Sequence, residues 1–174
     1  AIGYGALDAN VGGSNNTALG FIALSAATGS DNTAVGESSG TAVTTGINNT
    51  LIGAESGDAI TDADHNTAVG FRSLSTNVLG SRSIAIGAGA LFAQNPASAA
   101  DMYNVGIGYE AGVAITTGTE NTVVGATAGD SITDGSSNTC FGKNAGHTIT
   151  TGGGNTLIGR EANASAVGVD TEIT

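Results

Sequence analysis

The chain has 174 residues, of which 29 are Gly and 1 is Pro; there is no Trp, and aromatic side chains make up only 4%. A core of large side chains is excluded by that mix, which suits thin stacked coils where small residues let backbones approach and Gly turns corners. The net charge is -11, and Arg72, Arg82, Lys143 and Arg160 are the only Lys or Arg residues; this argues against nucleic acid and anionic membrane as partners, since both need a basic face.

The dominant signal is a repeat. Versions of Asn66-Thr67-Ala68-Val69-Gly70 end at Gly3, Gly20, Gly36, Gly53, Gly70, Gly87, Gly108, Gly125, Gly142 and Gly159. The successive spacings are 17, 16, 17, 17, 17, 21, 17, 17 and 17 residues. A short fixed period sustained from end to end is the signature of a solenoid.

Counting from the anchor Gly as zero, position -4 is Asn in every coil from Asn16 to Asn155 except at Ser83. Position -3 is usually Thr, and position -1 is always apolar. Position +3 holds only Ala or Ser, which implies a close backbone approach at a corner. Position +7 is usually aliphatic, as in Val43, Ile60, Ile115, Ile132 and Ile149. Seventeen residues cannot hold two helices, and the short β-branched runs bounded by Gly, Asn and Asp read as strands. The expected fold is all-β: a parallel β-solenoid of about ten 17-residue coils over 1-162, with 163-174 as an exit or capping segment. Each coil is expected to carry two short strands, at -4 to -1 and +5 to +9. Equivalent strands stack about 4.8 Å apart, giving a rod on the order of 50 Å long. Asn at -4 and Thr at -3 are expected to form ladders from coil to coil.

Neighbouring strand residues face opposite ways, and positions -2 and -1 are both apolar. With -1 and +7 filling the coil interior, the -2 column faces outward. Its members are Ala18, Ala34, Leu51, Ala68, Ala85, Val123, Cys140 and Leu157. An apolar stripe along a rod marks an interface. Cys140 would sit on it as a small hydrophobe, and a lone Cys permits no internal disulfide.

In chain order, the sequence begins in mid-repeat at Ala1-Ile2-Gly3, as expected of a piece of something longer. The coil from Gly20 is one residue short, and the coil from Gly87 is four residues long. The excess lies between Leu91 and Tyr103, and insertions in solenoids loop out from one face, often the binding face. Gln94, Asn95, Pro96, Asp101 and Tyr103 are therefore the candidate receptor contacts, set against an ordinary tolerated surface loop.

Chemical signals are weak. Gly106-Ile107-Gly108 arises from the repeat and precedes no helix, so it is no dinucleotide fingerprint. His65 and His147 fall in different columns, which argues against zinc. Asp58 with Asp62, and Asp130 with Asp134, are carboxylate pairs that calcium could use, although solvated acids are the ordinary reading. No metal or cofactor is expected, nor catalysis, because a rod repeating one coil has few unique residues for a pocket.

The repeat Asn32-Thr33-Ala34-Val35-Gly36-Glu37-Ser38-Ser39-Gly40 resembles two groups of proteins. Ser83-Ile84-Ala85-Ile86-Gly87 is similar to the coil core of trimeric autotransporter adhesin heads. Ala1-Ile2-Gly3-Tyr4-Gly5-Ala6-Leu7 is similar to the repeats of bacteriophage tail-fibre shafts. The resemblance implies a left-handed β-roll, assembled as a homotrimer and displayed outside a cell or on a virion. On that footing the chain is expected to be a structural and adhesive fibre segment, not inserted in a membrane. It would present a region that binds a host receptor or glycan. The runner-up is a bacterial surface adhesin. An ice-binding solenoid is a third reading, suggested by Thr columns at -3 and at +8 (Thr44, Thr61, Thr116, Thr133 and Thr150); breaks in the +8 column at Val78 and Asn95, and charged residues at -5 such as Asp31, Arg82 and Glu120, count against it.

Overall fold

The computed structural model describes all 174 residues. Nine strands of three residues stack in one parallel sheet. They are β1 (Thr17–Leu19), β2 (Thr33–Val35), β3 (Thr50–Ile52), β4 (Thr67–Val69), β6 (Ile84–Ile86), β8 (Val105–Ile107), β9 (Thr122–Val124), β10 (Thr139–Phe141) and β11 (Thr156–Ile158). The remaining two, β5 (Gly80–Ser81) and β7 (Ala100–Asp101), pair with each other outside that sheet. Register is strict: Thr33 faces Thr50, Ala34 faces Leu51 and Val35 faces Ile52, and the same match recurs coil after coil. Single parallel bridges, Ile2 with Leu19 and Thr156 with Ile173, extend the ladder at both ends. The chain is thus an all-β parallel solenoid with a repeat of about 17 residues.

The second strand expected in each coil does not form. Residues at +5 to +9 run through turns and bends. A left-handed residue at +4 in most coils, such as Leu24 (φ 49), Leu74 (φ 51) or Gly57 (φ 55), opens a tight turn closed by the N–H at +7, as Ile60 N donates to Gly57 O at 3.1 Å, so the chain does not extend there. Cross-coil bonding persists there, with Thr116 N donating to Thr133 O at 2.8 Å and Thr133 N to Thr150 O at 2.9 Å. Only 17 of the 103 backbone hydrogen bonds lie within strands, so the corners hold the stack together as much as the sheet does.

The anchor Gly residues from Gly3 to Gly142 are required by the stacking. Gly70 has φ 132, and a Cβ on it would lie 2.6 Å from the carbonyl carbon of Gly87 in the next coil. No L side chain tolerates both conditions.

The interior is lined by positions -4, -2, +3, +4, +7 and +10. Alternation along the strand is as expected, but its phase is reversed. Ala34, Leu51, Ala68, Ala85, Val123, Cys140 and Leu157 are fully buried, and Ala18 is 2% exposed. The expected outward stripe at -2 is therefore the core itself. The reason is volume matching between two columns. Where +4 is Leu24, Leu74 or Leu91, the -2 residue of that coil is Ala18, Ala68 or Ala85. Where -2 is Leu51, Val123 or Cys140, +4 is Gly57, Gly129 or Gly146. A Cβ on Gly57 would meet Leu51 Cδ2 at 2.7 Å. Such compensation is what close packing inside a thin coil demands.

The Asn ladder forms as expected. Asn121 Nδ2 donates to Gly135 O at 2.8 Å and to Asn104 Oδ1 at 3.2 Å. Its Oδ1 accepts from Asn138 N at 3.0 Å. Every hydrogen-bonding direction of the buried amide is used, which burial of a polar group requires. The Thr column at -3 forms no such ladder, because those side chains point away from the coil.

Candidate functional site

The phase reversal turns positions -3 and -1 outward on the same sheet face. The -1 column is bare: Leu19 is 45% exposed, Phe141 56% and Ile158 63%. Ile52, Ile86 and Ile107 are also exposed, while Val35, Val69 and Val124 are half-buried. Beside this column runs Thr17, Thr33, Thr50, Thr67, Thr122, Thr139 and Thr156, interrupted by Ile84 and Val105. Two columns two residues apart, over nine strands about 4.8 Å apart, make a flat strip on the order of 500 Å². Its -1 half is apolar and its -3 half is mostly Thr.

The residues expected at a trimer interface are therefore unavailable to a partner. Ala18, Ala34, Leu51, Ala68, Ala85, Val123, Cys140 and Leu157 all sit in one contiguous core. The thiol of Cys140 is pushed up to about 11 by burial. The outward apolar stripe exists, but one residue along the strand from its expected position.

The candidate receptor contacts are divided by the fold. Gln94 and Pro96 are buried, whereas Asn95, Asp101 and Tyr103 are exposed. Gln94 has a structural task. Position -4 is Ser83 here, so the Asn ladder lacks a rung. Gln94 Oε1 accepts from Ser83 Oγ at 3.1 Å and from Asn104 Nδ2 at 3.0 Å, bridging the gap. Asn77, also polar at +7, closes the corner: its Oδ1 accepts from Gly80 N at 3.0 Å and its Nδ2 donates to Gly80 O at 2.7 Å, and Asn10 Oδ1 likewise accepts from Gly13 N at 2.9 Å. The sequence carries part of this signal: Ser83, the one residue at -4 that is not Asn, lies between Asn77 and Gln94, two of the three polar residues at +7.

The long coil does not hang loose. Met102 is fully buried, and Asp101 pairs with Arg82 at 2.9 Å and accepts from the Tyr103 hydroxyl at 3.2 Å. The hydrogen bond to Asp101 raises the pKa of Arg82 above its ordinary value.

Asp58 and Asp62 are engaged separately. Asp62 accepts from Thr45 Oγ1 at 2.8 Å and Thr44 Oγ1 at 2.9 Å, and these bonds, Thr45 first, lower its pKa. Asp58 accepts from Ser75 Oγ at 2.6 Å instead. Nowhere do three or more His, Cys, Asp or Glu residues come together as a metal-binding group. No helix is long and apolar enough to cross a membrane.

No protein-family model matches the chain, and neither a curated protein nor a solved structure aligns with it.

Proposed function

We propose that this chain is a structural rod segment that packs against further copies of itself along the outer sheet face, as a fibre does. Three copies is the number the repeat resemblance implies. The observation that carries the reading is the bare -1 column, which runs from Leu19 to Ile158 with no charged residue in it. A strip on the order of 500 Å² approaches one partner's share of a standard interface, about 800 Å². Presentation of an adhesive region outside a cell or on a virion follows from the same resemblance.

Native mass spectrometry and sedimentation test this. The unmodified chain is expected to sediment as an oligomer, as a trimer by the resemblance. Ile52→Lys combined with Ile86→Lys is expected to yield a folded monomer with unchanged far-ultraviolet circular dichroism. A well-folded monomer of the unmodified chain at micromolar concentration would refute the reading.

The outward Thr column supports a second reading, as an ice-binding face. Seven of the nine strands carry Thr at -3, in register, and no other side chain takes up their hydroxyls. Thermal hysteresis of the unmodified chain separates the two, since ice binding needs the Thr column uncovered and an assembly along this face covers it.

A further inference from the structure

The residue just past the anchor Gly is Tyr4, Phe21, Glu37, Ala54, Phe71, Ala88, Tyr109, Ala126, Lys143 and Arg160 in successive coils. Where two neighbouring coils both carry a ring, the rings stack. Tyr4 and Phe21 have centroids 5.6 Å apart and planes inclined by 14°. Around Ala88 the column reads ring, methyl, ring. Phe71 and Tyr109 stand two coils apart, about 9.6 Å, and both are more than half exposed. Between them lies a notch of about 370 Å³, the size of a small-ligand site.

The notch has a floor and two polar edges. Ala88 and Gly89 form the floor, and Phe92 lines it from the same coil. Arg72 stands on one edge, with its guanidinium carbon 5.1 Å from the centre of the Phe92 ring and 5.9 Å from that of Phe71. Its Nε pairs with Glu55 at 3.1 Å, which leaves the terminal Nη donors for a ligand. Glu110 stands on the other edge, and hydrogen bonding to it holds the Tyr109 phenol above its ordinary pKa.

We propose that this notch binds a pyranose ring of a neutral glycan between Phe71 and Tyr109, with its hydroxyls on Arg72 and Glu110. A flat ring in contact with both walls needs about 7 to 8 Å, two carbon contacts of 3.5–4.0 Å. The two-coil step leaves more, and the pucker and C–H bonds of a chair take up the difference. Charge selects against anions: Arg72 is already paired with Glu55, and Glu110 adds a negative charge. What the edges offer is one set of donors and one set of acceptors, which suits hydroxyl groups. The site lies within one chain and does not rest on the assembly reading.

The test is a titration of the full chain with methyl pyranosides of glucose, galactose and mannose, with adenosine and inorganic phosphate as comparators. Tyrosine fluorescence reports binding, since there is no Trp and only 3 Tyr. At least one pyranoside is expected to bind in the millimolar range, and tighter than adenosine or phosphate. Tyr109→Ala, which removes the reporting ring and is therefore followed by isothermal calorimetry, is expected to weaken it at least tenfold. Ala88→Phe would complete the stack as in the Tyr4–Phe21 pair, so it fills the notch while the coil is retained; it is expected to abolish binding, read by isothermal calorimetry. Absence of pyranoside binding up to 50 mM (about the weakest affinity such a readout resolves) overturns the proposal. So does binding that survives Ala88→Phe, or stronger binding of adenosine or phosphate. Sedimentation of the same samples reports assembly independently.

Discussion

Cys140 shows how one side chain records its surroundings. It stacks in register between Val123 and Leu157, and burial alone pushes its thiol up to about 11. Below about pH 9, the ordinary value, the thiol is neutral in folded and unfolded chains alike, so its full contribution to stability is present. As pH rises towards 11, the unfolded chain ionises first and stability falls. The stability of the chain in urea is expected to fall by roughly 2 kcal/mol across that window, relative to Cys140→Ala measured alongside. The native thiol is expected to resist a disulfide reagent until urea opens the coil. A thiol that reacts at once in the native chain would contradict its position in the core.

At the scale of the element, a coil is a fixed volume shared among its inward positions. Leu51 needs Gly57, whose missing Cβ would sit 2.7 Å from Leu51 Cδ2 and 2.9 Å from Ile60 Cδ1. Gly57→Ala is therefore expected to cost about 2–4 kcal/mol, from overpacking plus a side chain at positive φ. Leu51→Ala costs a similar amount by leaving a cavity. The double variant is expected to be more stable than the sum of the single losses by at least about 1 kcal/mol, because truncating Leu51 frees the space that a methyl group on position 57 fills. Strict additivity in denaturant melts would rule this coupling out. The same matching explains why the inward column was hard to identify from residue types alone. Ala, Leu, Val, Gly and Cys at -2 look like a variable small surface stripe until +4 is read beside them.

The whole molecule is quasi-one-dimensional, since each coil touches only its neighbours through in-register strands and the Asn ladder. Stability is then close to a sum over coils and coil interfaces. Removing residues 126-142, one full 17-residue period, leaves Gly125 leading into Lys143 with all columns aligned. That variant is expected to keep its circular dichroism and unfold cooperatively at slightly lower urea. Removing only residues 126-133 shifts every later column out of phase and is expected to abolish the folded signal. Equal behaviour of the two deletions would exclude a register-held stack.

The period, the Gly corners, the Asn ladder and the parallel stacking were legible in the sequence, because each is imposed by a contact between one residue and its own equivalent a coil away. A column that bonds to itself appears as a column in the text. The second strand was misread because the signature of left-handed backbone at +4, Gly at Gly40, Gly57, Gly112, Gly129 and Gly146, is masked by Leu24, Leu74 and Leu91 at the same position, where the coil's closure imposes a positive φ on a non-Gly residue. The direction of Thr67, Ala68 and Val69 was not legible. Alternation fixed that two of the three point one way, but only closure of the coil decided which face is enclosed. The notch beside Ala88 belongs to the same class, since Phe71 and Tyr109 lie 38 positions apart and become neighbours only when the coils stack. What joins residues of different columns depends on three-dimensional closure, and that the linear order does not contain.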